Sequence, residues 1–506
     1  MNRTKFFLYN SFYAALLQII TILAGFIIPR VMLKSYGSEI NGLVVSVNQF
    51  INYFTLVEAG LGSAAIYSLY KPLAEKDYFG VNSILSATRK FYYQSGYVFV
   101  SLVLGLSLFY PFVKDSVTLT DLEIGILVLI IGSSGAVNFF TMSKYRVLLT
   151  ADQKIYVISL ASIAAIVLNT LIITVLANLG VRIIIVRFIA LFSVFLRSLI
   201  LWVYVKKNYK YINYDEVPNS NALNKRWDAL YLQILGSIQV GTPIIIATFF
   251  TSLKDVSVYS IYNMVLFGLS GLLSIFTSGL SASFGDVIAR KEIKILQKSY
   301  KEFELVYYII ITCVYSMTMV LIMPFIKLYT KDINDANYFI PILGFLFVLN
   351  GLLYNIKTPQ GMLVISAGLF KETRIQTTIQ GLIVIIGGLI FVQFWGLSGI
   401  LLGAILSNLY RSIDLLIFIP QNVTKLKIRD SLFRMIRVFA AFVISVAPFL
   451  IIELNTNSIC RWLLLAIVSG IYSTIVVISL NMIFDKETIK DVIHRISYII
   501  RARIKK

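Results

Sequence analysis

Charge is scarce in this 506-residue sequence: Asp, Glu, Lys and Arg make up 14% of it, against 58% hydrophobic residues. Soluble domains carry roughly a quarter charged and about half apolar residues, so a soluble fold is excluded and a bilayer must be the solvent. Histidine and cysteine are nearly absent. The single histidine, His494, lies in the C-terminal tail, where a surface role is a simpler reading than catalysis. Of the two cysteines, Cys313 falls within an apolar run and Cys460 near a predicted outer surface, so no disulfide is expected. The sequence has no CxxC pair, HExxH, Walker A loop or glycine-rich dinucleotide fingerprint, and so no metal site, cofactor or built-in ATPase is expected.

What is present is a series of apolar runs of about twenty residues, each long enough to cross a hydrocarbon core of roughly 30 Å as a helix. They fall at about 6–29, 41–69, 91–113, 121–143, 155–178, 183–205, 229–251, 256–283, 303–326, 336–363, 375–395, 399–420, 433–453 and 460–484. The fold class is therefore all-α and polytopic, with about fourteen transmembrane helices, and the even number puts both termini on one side. Arg3 and Lys5 before the first run imitate a secretory signal. No small-residue cleavage site follows and the run is too long, so it reads as the first spanning helix.

The net charge of +20 could point to nucleic acid. Lys and Arg instead concentrate in alternate short gaps between the runs, as the positive-inside rule requires of cytoplasmic loops, so no nucleic-acid partner is expected. Groups such as Lys206, Lys207, Lys210, Lys225 and Arg226, or Lys425, Lys427, Arg429, Arg434 and Arg437, place both termini in the cytoplasm. The loop from Asp286 to Glu302 and the tail from Asp485 set Ile, Leu and Tyr at near-helical spacing among basic residues. Anchoring to an anionic inner leaflet is the simpler account of both, and substrate capture the other.

The middle of the chain repeats its beginning, faintly but in order. Gly60-Leu61-Gly62-Ser63-Ala64 matches Gly279-Leu280-Ser281-Ala282-Ser283 at an offset of 219; Thr150-Ala151-Asp152 matches Ser366-Ala367-Gly368 at 216. Leu179-Gly180 matches Trp395-Gly396 at 216, and Arg197-Ser198 matches Arg411-Ser412 at 214. Six spans return a chain to its starting side, so two such copies would be parallel lobes around a central cavity. The expected division is a six-helix lobe over 1–210, a cytoplasmic linker over 211–228 containing Pro218, Asn219, Ser220 and Asn221, and a second lobe over 229–424. Two additional helices over 425–484 and a basic amphipathic tail over 485–506 have no counterpart.

Ionisable side chains within spans point to function, because an unpaired charge in hydrocarbon costs several kcal/mol and usually faces a cavity. Seven stand out: Arg30, Glu58, Arg187, Arg197, Lys357, Arg411 and Asp414. Five are cations, which suits an anionic cargo, and arginine pairs especially well with phosphate oxygens. Arg197, Lys357 and Arg411 are the first choices for cavity cations, followed by Arg30 and Arg187. Each has a plainer alternative: Arg30 and Arg187 can snorkel to an interface, and Arg411 can neutralise Asp414 three residues on. Glu58 is either an ion-coupling carboxylate or the counter-charge of an arginine. Lys357 sits in Asn355-Ile356-Lys357-Thr358-Pro359-Gln360, where the proline predicts a kink.

The first ninety residues carry Asn10-Ser11, Pro29-Arg30, Gly37-Ser38-Glu39-Ile40-Asn41-Gly42-Leu43, Glu58-Ala59-Gly60-Leu61-Gly62 and Leu69-Tyr70-Lys71-Pro72-Leu73-Ala74, with Leu149-Thr150-Ala151-Asp152-Gln153-Lys154 further on. This pattern resembles the Wzx-type flippases, the polysaccharide transporters of the multidrug/oligosaccharidyl-lipid/polysaccharide (MOP) exporter superfamily. The resemblance implies two MATE-like six-helix lobes and a non-enzymatic role. The implied cargo is a prenyl-pyrophosphate-linked oligosaccharide for O-antigen, capsule or a related polysaccharide, moved across the bacterial inner membrane by alternating access. Polysaccharide polymerase and other assembly proteins are the implied partners. The rivals are a MATE-type drug exporter, a peptidoglycan-precursor flippase and, from another class, a membrane polymerase or glycosyltransferase. The excess of cations argues against exporters of organic cations, and the short outer loops against the enzymes.

Overall fold

In the computed structural model the described residues are 3–114, 116, 118–219, 226–277, 280–451 and 458–504. They form α-helices with no strand among them: α1 (Arg3–Phe54), α2 (Leu61–Glu75), α3 (Tyr78–Val113), α4 (Asp121–Val137), α5 (Ser143–Ala151), α6 (Ile155–Asn178), α7 (Ile183–Asn208), α8 (Arg226–Phe250) and α9 (Leu253–Thr277). Then follow α10 (Leu280–Ala289), α11 (Ile293–Tyr329), α12 (Pro341–Ile356), α13 (Thr358–Ala367), α14 (Arg374–Ile419), α15 (Ile428–Ile451), α16 (Ile459–Phe484) and α17 (Lys486–Ile504). Ser220 and Asn221 of the expected linker, and Gly279 of the repeat, lie outside the described residues.

Among the described residues twelve helical stretches are long and apolar enough to cross a membrane, and two of them, Tyr9–Glu58 and Arg374–Thr424, are twice the length one crossing needs. Both are hairpins closed at a glycine of positive φ, Gly37 (81°) and Gly396 (53°). In α1, Asn10 bonds to Gln153 and Tyr36 to Val181, at opposite ends of α6. The chain then runs back from Glu39, beside Ser116, to Val57, beside Ser95. In α14, Ser407 bonds to the Gln380 carbonyl. The two arms touch so closely that a Cβ on Gly403 would lie 2.4 Å from the Gly388 nitrogen, and one on Gly399 2.0 Å from the Phe391 carbonyl oxygen. Small residues allow such backbone contact between membrane helices. Counted by crossings, the twelve stretches are fourteen helices, as the hydropathy pattern predicts.

The bilayer explains the surface. On α7, Phe188, Phe192, Phe195 and Leu199 stand exposed along one side at helical spacing, as expected of a lipid-facing stripe.

Packing divides the chain into two compact units, Met1–Met264 with Asp332–Ala336, and Val265–Lys331 with Asn337–Lys506. The boundary between these units falls within α9. The first unit is built on one buried cluster that includes Val47, Leu69, Leu85, Phe99, Leu127, Met142, Leu148, Ala161 and Val186. The second has a cluster around Leu363, Ile419 and Tyr300, and another where Val320 and Leu321 of α11 meet Leu465 of α16. Element order recurs along the chain. A short helix and a 36-residue helix (α2, α3) are followed by a broken span (α4, α5) and a hairpin turning at Gly180 (α6, α7). Further on come a short helix and a 37-residue helix (α10, α11), a broken span (α12, α13) and the hairpin turning at Gly396 (α14). Gly180 and Gly396, matched in sequence, both hold positive φ.

Candidate functional site

The first unit contains a polar cavity of about 300 Å³, lined by Asn48 of α1, Ser134 of α4, Asn169 of α6, Asn138, and the inner side of α7. Arg187, Ala190, Leu191, Val194 and Arg197 form that side, opposite the lipid-facing phenylalanines. The α7 register follows from Gly180, whose positive φ turns the chain out of α6. Arg187 and Arg197, about 15 Å apart along the axis at 1.5 Å per residue, therefore reach the same cavity.

Among the described residues no carboxylate pairs with either arginine. Arg187 donates to the Met32 sulfur at 3.7 Å and lies near the Tyr36 phenol, but its Nε is buried without an acceptor. The Nε of Arg197 is likewise unpaired, and the charge that acts on it is another cation, Arg146. Asn138 adds an unpaired acceptor: its amide nitrogen is spent on the Ser134 carbonyl at 3.0 Å, while Oδ1 is buried without a donor. It opens a π-helical turn, Asn138–Met142, that joins α4 to α5. Such turns insert one residue into a helix and recur at functional sites.

Glu58 ends the 3₁₀ turn Thr55–Glu58, just before Gly60 with φ 78° breaks the helix. It lies within hydrogen-bonding reach of Ser143 and in the field of Arg146, with Tyr92 close by. Arg30 is half-buried on α1 and does not line the cavity.

The second unit treats its charges differently. Lys357 is 9% exposed and sits at the break between α12 and α13. Pro359 lacks the N–H that would bond the Asn355 carbonyl, which takes the Lys357 N–H instead, while Tyr308 donates to the Ile356 carbonyl at 3.0 Å. Lys357 Nζ donates to Asn408 Oδ1 at 2.7 Å, Asn408 in turn donates to Asn350 at 2.9 Å, and the ammonium lies 4.8 Å over the Tyr354 ring. Arg411 pairs with Asp414 at 2.6 Å. These side chains form one neighbourhood, since the charge of Arg411 reaches Lys357.

A further buried network was not evident in the sequence. Glu304 of α11, 1% exposed, accepts from Arg434 at 2.9 Å, Tyr300 at 3.0 Å, Gln360 at 3.1 Å and Ser431 at 3.2 Å. Arg434 also donates to Asp485 at 2.8 Å, and Arg437 to the same carboxylate at 3.0 Å. Through Asp485, Thr488, Asp491 and Arg495 the tail helix α17 is fastened to α11 and α15.

Fold and site together define a multi-pass helical membrane protein with uncompensated cations inside its first unit. No protein-family model matches the sequence, and no curated protein matches it. Solved structures do match. A structure of the lipid II flippase MurJ in an inward closed conformation aligns with TM-score 0.68 at 15% identity, over 93% of this chain and 98% of that one. An inward-facing structure of a multidrug resistance MATE family transporter of the MOP superfamily aligns with TM-score 0.65 at 14% identity, over 85% and 98%. Its outward-facing counterpart gives 0.57 at 14% identity, over 87% and 97%. The chain thus has the fold of these transporter and flippase structures.

Proposed function

We propose that this protein is a flippase that carries a prenyl-pyrophosphate-linked oligosaccharide, a repeat unit of O-antigen, capsule or a related polysaccharide, from the inner to the outer leaflet by alternating access. The observation that carries the reading is the pair Arg187 and Arg197, facing one cavity with no carboxylate to neutralise them. A buried charge left unpaired is costly, and an anion with many acceptor oxygens removes the cost. The cavity holds about 300 Å³. It suits a pyrophosphate head, and the saccharide must sit elsewhere. Arg197, Arg187, Lys357 and Arg411 are the proposed substrate cations, Arg30 a peripheral one, and Glu58 and Asp414 the coupling or counter-charge carboxylates.

The same reading sets the protein in the bacterial cytoplasmic membrane with both termini inside, beside the polymerase that consumes its cargo. It divides the chain into two six-helix lobes over 1–210 and 229–424, linked by 211–228 and followed by the helices of 425–484 and the tail of 485–506. The recurrence of Gly180 and Gly396 at matched positive-φ turns supports the duplication.

The test is to extract lipid-linked oligosaccharide from cells lacking the protein and determine which leaflet holds the sugar. Accumulation on the cytoplasmic face, reversed by wild type but not by Arg187→Ala with Arg197→Ala, supports the flippase. Accumulation on the outer face sinks it in favour of a polymerase or transferase, and accumulation of muropeptide lipid instead assigns the cargo to peptidoglycan.

A further inference from the structure

A second cationic cluster lies outside the cavity, where α3, α5 and the segment after α7 meet. Arg89 of α3 places its guanidinium carbon 5.7 Å over the Tyr214 ring, and Lys144 of α5 places its ammonium 4.9 Å over the same ring and 5.2 Å over Tyr145. The carboxylate of Asp215 bonds Arg89 at 2.9 Å and is 82% exposed. Lys144 has tyrosine rings and the like charge of Arg89 for neighbours, not an acid. The Tyr214 hydroxyl is buried without a hydrogen-bond partner. Two adjacent cations, one exposed counter-charge and an unmet hydroxyl are short of an anion.

From this cluster an aromatic ladder continues along α3. Arg89, Tyr93 and Tyr97 follow at four-residue spacing, one helical face, as do Phe140 and Lys144 on the other side. Tyr93 and Tyr97 pack on Phe140 at 5.6 Å and 5.4 Å, and Tyr97 is 65% exposed. The segment carrying Tyr214 is held in place by Asn82, which donates to the Tyr211 carbonyl at 3.0 Å and accepts from Asn213 at 3.1 Å.

We propose that Arg89 and Lys144, roofed by Tyr214, form a phosphate-binding site at this end of the first unit, with Tyr97, the exposed end of the aromatic ladder, taking the group attached to the phosphate. On the flippase reading, on which the choice of ligand rests, it is where the pyrophosphate head meets the protein before the Arg197 cavity. Cations supply the charge-assisted hydrogen bonds, and Tyr97 offers a flat apolar face. The same chemistry would hold the phosphate of an anionic lipid headgroup.

The test uses the full chain in nanodiscs of phosphatidylcholine, titrated with farnesyl pyrophosphate by calorimetry. Arg89→Gln with Lys144→Gln weakens binding about tenfold or more, and Asp215→Asn, which removes an exposed acid, tightens it by about threefold. Adding phosphatidylglycerol to the disc separates the sources: competition through Arg89 and Lys144 assigns the site to a lipid headgroup, and undiminished affinity assigns it to the cargo. Wild-type affinity in both variants overturns the proposal. Should the double variant not fold, Asp215→Asn alone decides, because an exposed substitution that leaves affinity unchanged is equally fatal. Arg187→Gln with Arg197→Gln leaves the Arg89–Lys144 component of probe binding in place, and flipping that persists in that variant counts against the flippase reading while leaving this site standing.

Discussion

The two units hold similar buried cations in opposite states. In the first, Arg187 and Arg197 face a cavity with unpaired Nε groups and no acid. In the second, Lys357 is bound to Asn408, Arg411 to Asp414 and Arg434 to Glu304. A charge matched inside the protein holds the fold, whereas a charge left unmatched serves whatever arrives to match it. Substitution should therefore damage the fold in the second unit, even where Lys357 and Arg411 also meet the cargo, and function alone in the first.

The largest effect is expected at Glu304. Glu304→Ala takes from Arg434 its more deeply buried carboxylate and should cost about 3–5 kcal/mol, read as a large drop in the thermal midpoint of purified protein. A midpoint like that of wild type would break the comparison on its structural side. Next comes Arg197→Ala, which should lower transport about a hundredfold, roughly 2.7 kcal/mol in barrier height, while leaving the midpoint unchanged or higher. A falling midpoint would show that Arg197 has a structural partner after all. Asp414→Asn lies between these behaviours. It exposes the charge of Arg411 while keeping its shape, and should destabilise by about 1–3 kcal/mol.

The sequence made the number of crossings, the kink at Pro359 and the Arg411–Asp414 spacing legible, because each is local: a run length, a missing N–H, a three-residue separation on one helix. The positive-φ turns at Gly180 and Gly396 were also within reach, as the repeat paired those two glycines. The apolar run over 121–143 stops short of Lys144 and Arg146. The π-helical turn Asn138–Met142 carries the helix on through Ala151, and both cations belong to the span. Glu304 and Arg434 were beyond reach. They lie 130 residues apart in sequence, each among basic residues that also serve to set topology, and only packing of α15 on α11 unites them.

The smallest effect concerns pH at the tail. Burial works against the Asp485 charge, but hydrogen bonds from Arg434, Thr488 and Arg437 outweigh it and hold the carboxyl below the ordinary aspartate value. A carboxylate with a depressed folded value contributes its full stabilisation above the unfolded value, near 4, and loses it as pH falls through the folded one. Docking of α17 should therefore be indifferent to pH between about 6 and 8 and loosen only in strong acid. Hydrogen exchange over residues 486–504 checks this. Asp485→Asn should raise exchange across the tail at neutral pH to the level wild type reaches in acid, without altering exchange in α7. Protection, corrected for the pH dependence of the intrinsic exchange rate, that changes between pH 6 and 8 would place the controlling group elsewhere, and a response in α7 would mean that the tail's charges and the cavity's are not independent.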